Sequence, residues 1–286
     1  MSKARRRIFS ILVLLAGLLA AVPASAGPAV SPWDGGPEGE VRLLAARSAA
    51  GGAATLRFGL EFRLAPGWKT YWRNPGESGA PPQFDWSGSG NLADVSVEWP
   101  VPVRFTAFGT DSFGYHDAVV LPLTVRPRRP GAPLALRLHL RFLVCETICI
   151  PGEARLALDL PAGPAAATAE AAHIAKFAAR LPKRGAAAPF SVGKAVLSGA
   201  PGQQVLTLHV RAPDGFEAPD AMVEGPQGFA FGRPEVTLAD AGRSAVLRLP
   251  VLGIGKAALD PGVPLTVTLV DGARAAEASL TARAGS

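Results

Sequence analysis

The sequence predicts an all-β protein: an immunoglobulin-like antiparallel sandwich, then a linking helix and a second, smaller β-sandwich domain. Three observations carry this. Leu56, Phe58, Leu60, Phe62 and Leu64 alternate with Arg57, Gly59, Glu61 and Arg63. Leu134, Leu136, Leu138, Leu140, Phe142 and Val144 do the same against Arg137, His139 and Arg141. Period two over such lengths means strands with one buried face and one wet face. The 27 prolines and 32 glycines of the 286 residues suit short strands joined by many turns.

The first stretch bears on compartment rather than fold. Lys3, Arg5, Arg6 and Arg7 precede an apolar run of about 15 residues from Ile8 to Val22, and Ala24-Ser25-Ala26 supplies small residues before Gly27. This pattern predicts a secretory signal peptide over residues 1–26, export to the periplasm, and no membrane span once it is removed. Disulfides form in that compartment. Cleavage leaves 25 basic against 23 acidic residues, so the net charge falls from +6 to +2. No basic tract interleaved with aromatics remains, which speaks against nucleic-acid binding.

Residues 27–162 are read as the first domain. Val41–Arg47, Ala54–Leu64, Val95–Trp99, Val119–Val125, Leu134–Val144 and Glu153–Leu160 carry strand signals. Gly67 to Asn91 packs three tryptophans, a tyrosine and a phenylalanine among turn residues. It is expected to be a long loop, either pinned to the body by its own rings or a recognition surface using Trp68, Tyr71 and Trp72. Arg104 to His116 is expected to be a second loop, rich in glycine and aromatics. Ala165 to Leu181, with Ile174, Phe177 and Leu181 at helical spacing, predicts the helix within a 163–187 linker. Residues 188–286 return to strand signals at Gln203–Arg211, Glu235–Leu238, Ser244–Val251, Pro264–Val270 and Ala276–Ala282. Their one histidine, His209, is expected to face solvent, and this domain offers no visible chemistry.

The chemistry-bearing residues are the only two cysteines, Cys145 and Cys149. Residues four apart on an extended strand lie about 13 Å from each other, and a disulfide needs Cα atoms within about 7 Å. A bond therefore requires Glu146-Thr147-Ile148 to form a tight turn, with the strand ending near Val144. Three uses stay open: a redox pair, an inert structural disulfide, or two thiolates of a Cu(I) or zinc site completed by His116 or His139. A loop this short gains only about 2 kcal/mol from closure, and small-loop disulfides are often exchangeable. No standard metal-site spacing is present, methionine is nearly absent after residue 26, and no hydrolase or phosphate-loop motif occurs.

Three segments stand out together: Gly67-Trp-Lys-Thr-Tyr-Trp-Arg-Asn-Pro-Gly-Glu-Ser-Gly79, Phe113-Gly-Tyr-His-Asp-Ala-Val-Val-Leu-Pro122, and Cys145 to Cys149 followed by Ile150-Pro151-Gly152. Jointly they resemble the N-terminal periplasmic domain of the DsbD/ScsB thiol:disulfide interchange proteins, the ScsB branch more closely. The resemblance spans roughly residues 30–185. It implies an immunoglobulin-like fold in which Cys145 and Cys149 cycle between dithiol and disulfide without a cofactor or metal. It also implies an aromatic cap: Asp111 to Gly114, with Phe113 as the covering ring and Tyr115 as a second candidate. The implied donor is a thioredoxin-like or membrane-embedded thiol:disulfide carrier, and the implied acceptor a periplasmic disulfide protein. Family members continue into membrane and thioredoxin-like domains, which the sequence to Ser286 does not contain, so a separate electron donor is expected.

Overall fold

The structure, a computed structural model, describes residues 29–200, 202–252 and 262–285. The expected signal peptide lies outside the described residues. The chain is a mostly antiparallel β-protein, as its alternating segments predict.

The first eleven strands build a two-sheet sandwich. They are β1 (Asp34–Gly36), β2 (Gly39–Ala45), β3 (Leu56–Leu64), β4 (Lys69–Gly76), β5 (Gln83–Asp85), β6 (Leu92–Val97), β7 (Val103–Ala107), β8 (Thr110–His116), β9 (Ala118–Pro127), β10 (Leu134–Cys145) and β11 (Cys149–Leu160). One sheet runs β1-β2-β3-β9-β6; the other runs β11-β10-β4-β8-β7, with β5 added to β10. The apolar halves of the alternating segments meet between the sheets. Phe58, Leu60 and Phe62 of β3 face Leu136, Leu138, Leu140 and Phe142 of β10, and Phe62 meets Phe142 edge to face at 5.5 Å. Burying apolar side chains from both inner faces is what holds a sandwich together.

Two segments expected as loops turn out to form strands of the second sheet, β4 and β8 in its middle and β5 and β7 at its margins. Gly67 to Asn91 contains β4 and β5, and Arg104 to His116 contains nearly all of β7 and the whole of β8. Period two was hidden there because both faces carry large or polar groups. Lys69 and Tyr71 occupy one face of β4, Thr70 and Trp72 the other.

The helix, α1 (Glu170–Ala178), begins five residues later than its spacing predicts. Residues 166–168 are taken by backbone pairing instead. Ala167 bridges Arg47, the Ser48 amide donates to the Ala166 carbonyl at 3.0 Å, and the Thr168 hydroxyl donates to the Ala45 carbonyl at 2.6 Å. Ile174 and Phe177 pack α1 onto the first sandwich, where Gly59 leaves room for Ile174.

Eight strands follow: β12 (Ser191–Ser198), β13 (Val205–Arg211), β14 (Asp220–Glu224), β15 (Ala230–Phe231), β16 (Glu235–Ala239), β17 (Ser244–Leu252), β18 (Val263–Asp271) and β19 (Arg274–Ala284). They enclose a separate core around Leu206, Leu208, Leu247, Leu249, Val267 and Leu269. His209 faces solvent from β13.

The two cores are tied by charge and by apolar contact from Met222 and from Val270 of β18, which packs against the first core. Met222 of β14 belongs to the first core. Arg104 of β7 donates to both oxygens of Asp220, at 2.8 and 2.6 Å, and to Asp111 at 2.8 Å. Arg73 of β4 forks onto Glu224 at 2.6 and 3.0 Å and reaches Glu277 at 2.6 Å. Ion pairs this enclosed are worth having only because nearly every oxygen and N–H is partnered.

Candidate functional site

The long β10–β11 ladder pairs Leu134 with Leu160 at one end and Cys145 with Cys149 at the other. The hairpin turn Glu146-Thr147-Ile148 brings the two Cα atoms to 4.1 Å, and the sulfurs are bonded to each other. The strand ends where the expected turn requires. The two sulfur-bearing residues differ in access: Cys145 is 2% exposed, whereas Cys149 and the three turn residues are exposed. Ile148, at 69% exposure, stands out as a bare apolar side chain beside the bond.

Register decides what surrounds them. Cys145 pairs with Lys69 of β4, and Lys69 pairs with His116 of β8. Paired residues share a face and side chains alternate along each strand. The disulfide therefore shares its face with Lys69, Tyr71, Ser112, Gly114 and His116. Trp72, Phe113 and Tyr115 point to the opposite side, into the core.

Tyr71 is the group that touches both sulfurs. Its hydroxyl lies 3.2 Å from Cys145 Sγ and 3.4 Å from Cys149 Sγ. The bonded sulfurs carry no hydrogen, so the hydroxyl donates. Gly79 lies directly on the Tyr71 ring, with a hypothetical Cβ 2.2 Å from it. Burial pushes the Tyr71 hydroxyl above the ordinary phenol range, partly offset by a hydrogen bond with Ser78, so it stays protonated near neutral pH.

The segment expected as an aromatic cap is arranged differently. Asp111, Phe113 and Tyr115 lie on β8, and their side chains face away from the disulfide. Phe113 is 3% exposed and meets Trp72 edge to face at 6.4 Å. The Tyr115 hydroxyl donates to the Pro100 carbonyl at 2.7 Å. Asp111 serves the inter-domain ion pairs. Strand alternation is the reason, because 111, 113 and 115 are odd steps from His116. Of the three residues offered for recognition, Trp72 is fully buried and presents no face to a partner. Trp68 is half-buried against the core. Tyr71 sits at the sulfurs, a position that only the fold reveals.

The histidines weighed as metal partners are occupied elsewhere. His116 Nδ1 is 2.6 Å from Asp117, and His139 Nε2 is 2.9 Å from Glu153. Among the described residues no group of three or more His, Cys, Asp or Glu side chains is placed to hold a metal ion.

Residues 40–161 match the family model "Thiol:disulfide interchange protein DsbD, N-terminal". The first sandwich is a DsbD N-terminal domain. Residues 180–285 match a domain of unknown function. The crystal structure of the N-terminal periplasmic domain of ScsB from Proteus mirabilis superposes with a TM-score of 0.73 at 27% identity, over 90% of this chain and 99% of that one. Both sandwiches thus have a counterpart in that DsbD/ScsB domain. A chimeric titin Z1Z2 structure covers 82% of this chain and 90% of its own at 12% identity, but its TM-score of 0.19 carries no argument. A search of curated proteins finds no match. No helix among the described residues is long and apolar enough to cross a membrane.

Proposed function

We propose that this DsbD/ScsB N-terminal domain passes electron pairs between periplasmic proteins through Cys145 and Cys149, with Cys149 as the sulfur that partners meet. The unequal access of the two sulfurs carries this reading. Exchange requires in-line attack of a thiolate on a sulfur, and Cys149 is the exposed one.

In the reducing half-cycle a donor thiolate attacks Cys149 Sγ. The Sγ–Sγ bond breaks, Cys145 leaves with the electron pair, and Cys149 is held in a mixed disulfide. The donor's second thiolate then attacks its own sulfur in that mixed bond. It departs as a disulfide and leaves Cys149 reduced. In the oxidising half-cycle the Cys149 thiolate attacks an acceptor disulfide, and Cys145 resolves the product. A thioredoxin-like or membrane-embedded carrier fits the donor role, and a periplasmic disulfide protein the acceptor role. Residues 27–162 supply the reacting sulfurs. The second domain, residues 188–286, is joined through 163–187 and braces β4, β7 and β8 with the Arg73 and Arg104 ion pairs.

Single-cysteine variants test the assignment. Reduced Cys145→Ser protein should trap a mixed disulfide with a thioredoxin-like partner through Cys149, and Cys149→Ser should trap little. The reverse pattern, or a disulfide with a reduction potential below about −300 mV, would mark the assignment or the whole cycle as wrong.

A further inference from the structure

β11 is the outer strand of its sheet, with β10 as its ladder neighbour. Its first residues, Cys149 to Glu153, run along that edge from the exposed sulfur. The Cα atoms of Cys145 and Cys149 are 4.1 Å apart, close to the spacing of about 4.5 Å in a non-hydrogen-bonded antiparallel pair. Residues in such pairs turn their backbone N–H and C=O groups away from each other. In β11 the outward groups are therefore those of Cys149, Pro151, Glu153 and Arg155. Two contacts agree with this phase. The Arg155 amide donates outward to Asp34 Oδ2 at 2.7 Å, and Ala135 of β10 exchanges both backbone bonds with Gly90, on the side away from β11. Among the described residues, Cys149, Pro151 and Glu153 make no backbone bond outside the β10 ladder, and all three are exposed.

We propose that this edge is the docking strand for exchange partners: a short extended segment carrying the partner's reacting cysteine adds antiparallel to Cys149–Glu153, with that cysteine opposite Cys149. The inference rests on the interchange reading above and deepens it by naming what a partner presents. Opposite residues that exchange both backbone bonds lie about 5.5 Å apart at Cα, inside the span of about 4.4–6.8 Å that a disulfide needs. The pairing holds the two sulfurs at bonding range with neither strand distorted. Cys149 and Glu153 each offer a donor and an acceptor, and Pro151 an acceptor alone, so about five main-chain hydrogen bonds form. Added strands take affinity from main-chain bonds and specificity from alternate side chains. The partner residue two before its cysteine lies over Pro151, on the disulfide face. A cleft of about 330 Å³ opens there, walled by Ala80, Pro81, Leu143 and Pro151, and suits an apolar side chain.

The edge is guarded against longer strands and against a second copy of itself. Asp34 already occupies the Arg155 amide. Pro151 has no N–H, so two copies paired about this residue would set carbonyl against carbonyl. Such devices keep edge strands from pairing indiscriminately. A segment of about five residues with its own N–H opposite Pro151 avoids both obstacles.

The test uses the full chain with Cys145→Ser, so that Cys149 is the only thiol. It is equilibrated with the peptide acetyl-Val-Thr-Val-Thr-Cys-amide, supplied as its disulfide with glutathione. The Cys149 thiolate bonds to the peptide sulfur, and glutathione leaves as the thiolate with the electron pair. Methylating the backbone nitrogen of the peptide's cysteine, or of the valine two before it, removes a bond to the edge. The exchange constant should then fall about fivefold, whereas methylating either threonine nitrogen, which faces away, should change it less than about twofold. In the mixed disulfide the Glu153 amide should exchange with solvent about tenfold more slowly, while Arg155 stays as it was. Equal effects at the two sets of nitrogens, or unchanged Glu153 exchange in a mixed disulfide that does form, overturn edge pairing. A dimer that protects Glu153 without peptide gives the edge to a second copy and overturns it too. A Cys149 that takes up no peptide at all overturns the interchange reading, and this inference with it.

Discussion

Tyr71 and Gly114 face each other across β4 and β8, and the missing side chain at 114 lets the two backbones close up beside the disulfide. A Cβ on Gly114 would lie 2.0 Å from the Thr70 carbonyl oxygen. The sheet that presents Tyr71 to the sulfurs therefore depends on glycine at this place. Gly114→Ala is expected to lose about 1–3 kcal/mol or more from overpacking, seen as a lower melting temperature. A melt indistinguishable from wild type would show that the strands separate without cost.

The Tyr71 hydroxyl donates more strongly to a thiolate than to a disulfide, because hydrogen bonds to charged acceptors are worth about 1.5–3 kcal/mol against about 1 for neutral ones. Tyr71→Phe keeps the ring beneath Gly79 and removes only this donor. The reduced state should lose more than the oxidised one, and the reduction potential should fall by about 30 mV, the equivalent of about 1.4 kcal/mol for two electrons. Equilibration against glutathione measures it. An unchanged or raised potential contradicts a thiolate-stabilising role.

Cys149→Ser removes the covalent tie between β10 and β11. Closing so short a loop contributes about 2 kcal/mol in the chain-entropy model, and the hairpin keeps its long ladder and buried leucines. The variant should fold, melt slightly lower, and have no interchange activity in a thiol-transfer assay. Failure to fold would mean that the bond is structural first.

Arg104 is 7% exposed at its side chain and joins Asp111 of the first domain to Asp220 of the second. Arg104→Leu leaves Asp111, itself 9% exposed, with Arg233 as its remaining cation. A loss of about 3–5 kcal/mol is expected, as for other broken buried pairs. Calorimetry distinguishes this from a surface effect, for which the melt would barely move.

The same contacts set an acid limit. Burial would raise the Asp111 carboxyl, but hydrogen bonds from Arg233, Thr106 and Arg104 more than offset it and hold it below the usual range. Glu277 is likewise lowered, with burial opposed by Arg73 and Arg184. Carboxyls depressed in the folded state contribute stability above their unfolded pKa values, about 4, and that contribution disappears as pH falls through the folded ones. Denaturant midpoints should hold steady above about pH 5 and drop below about pH 4. The Arg104→Leu variant should show a shallower drop. Equal slopes in both proteins would assign the acid sensitivity elsewhere.

From the sequence alone, the all-β class, the long strands β3 and β10 and the turn between the cysteines could be read. Each rests on period two or on the short reach between Cys145 and Cys149, and both are local properties of the chain. What Tyr71 and Phe113 do could not be read that way. Tyr71 meets Cys145 across 74 positions of sequence, through strand register. Phe113 lies inward because alternation is counted from that same register. The inter-domain pairs, such as Arg104 with Asp220, depend on two cores coming together. Only the tertiary structure decided these, because a side chain's neighbours are set by which strands pair and in what step, and one residue's slip sends every ring to the other face.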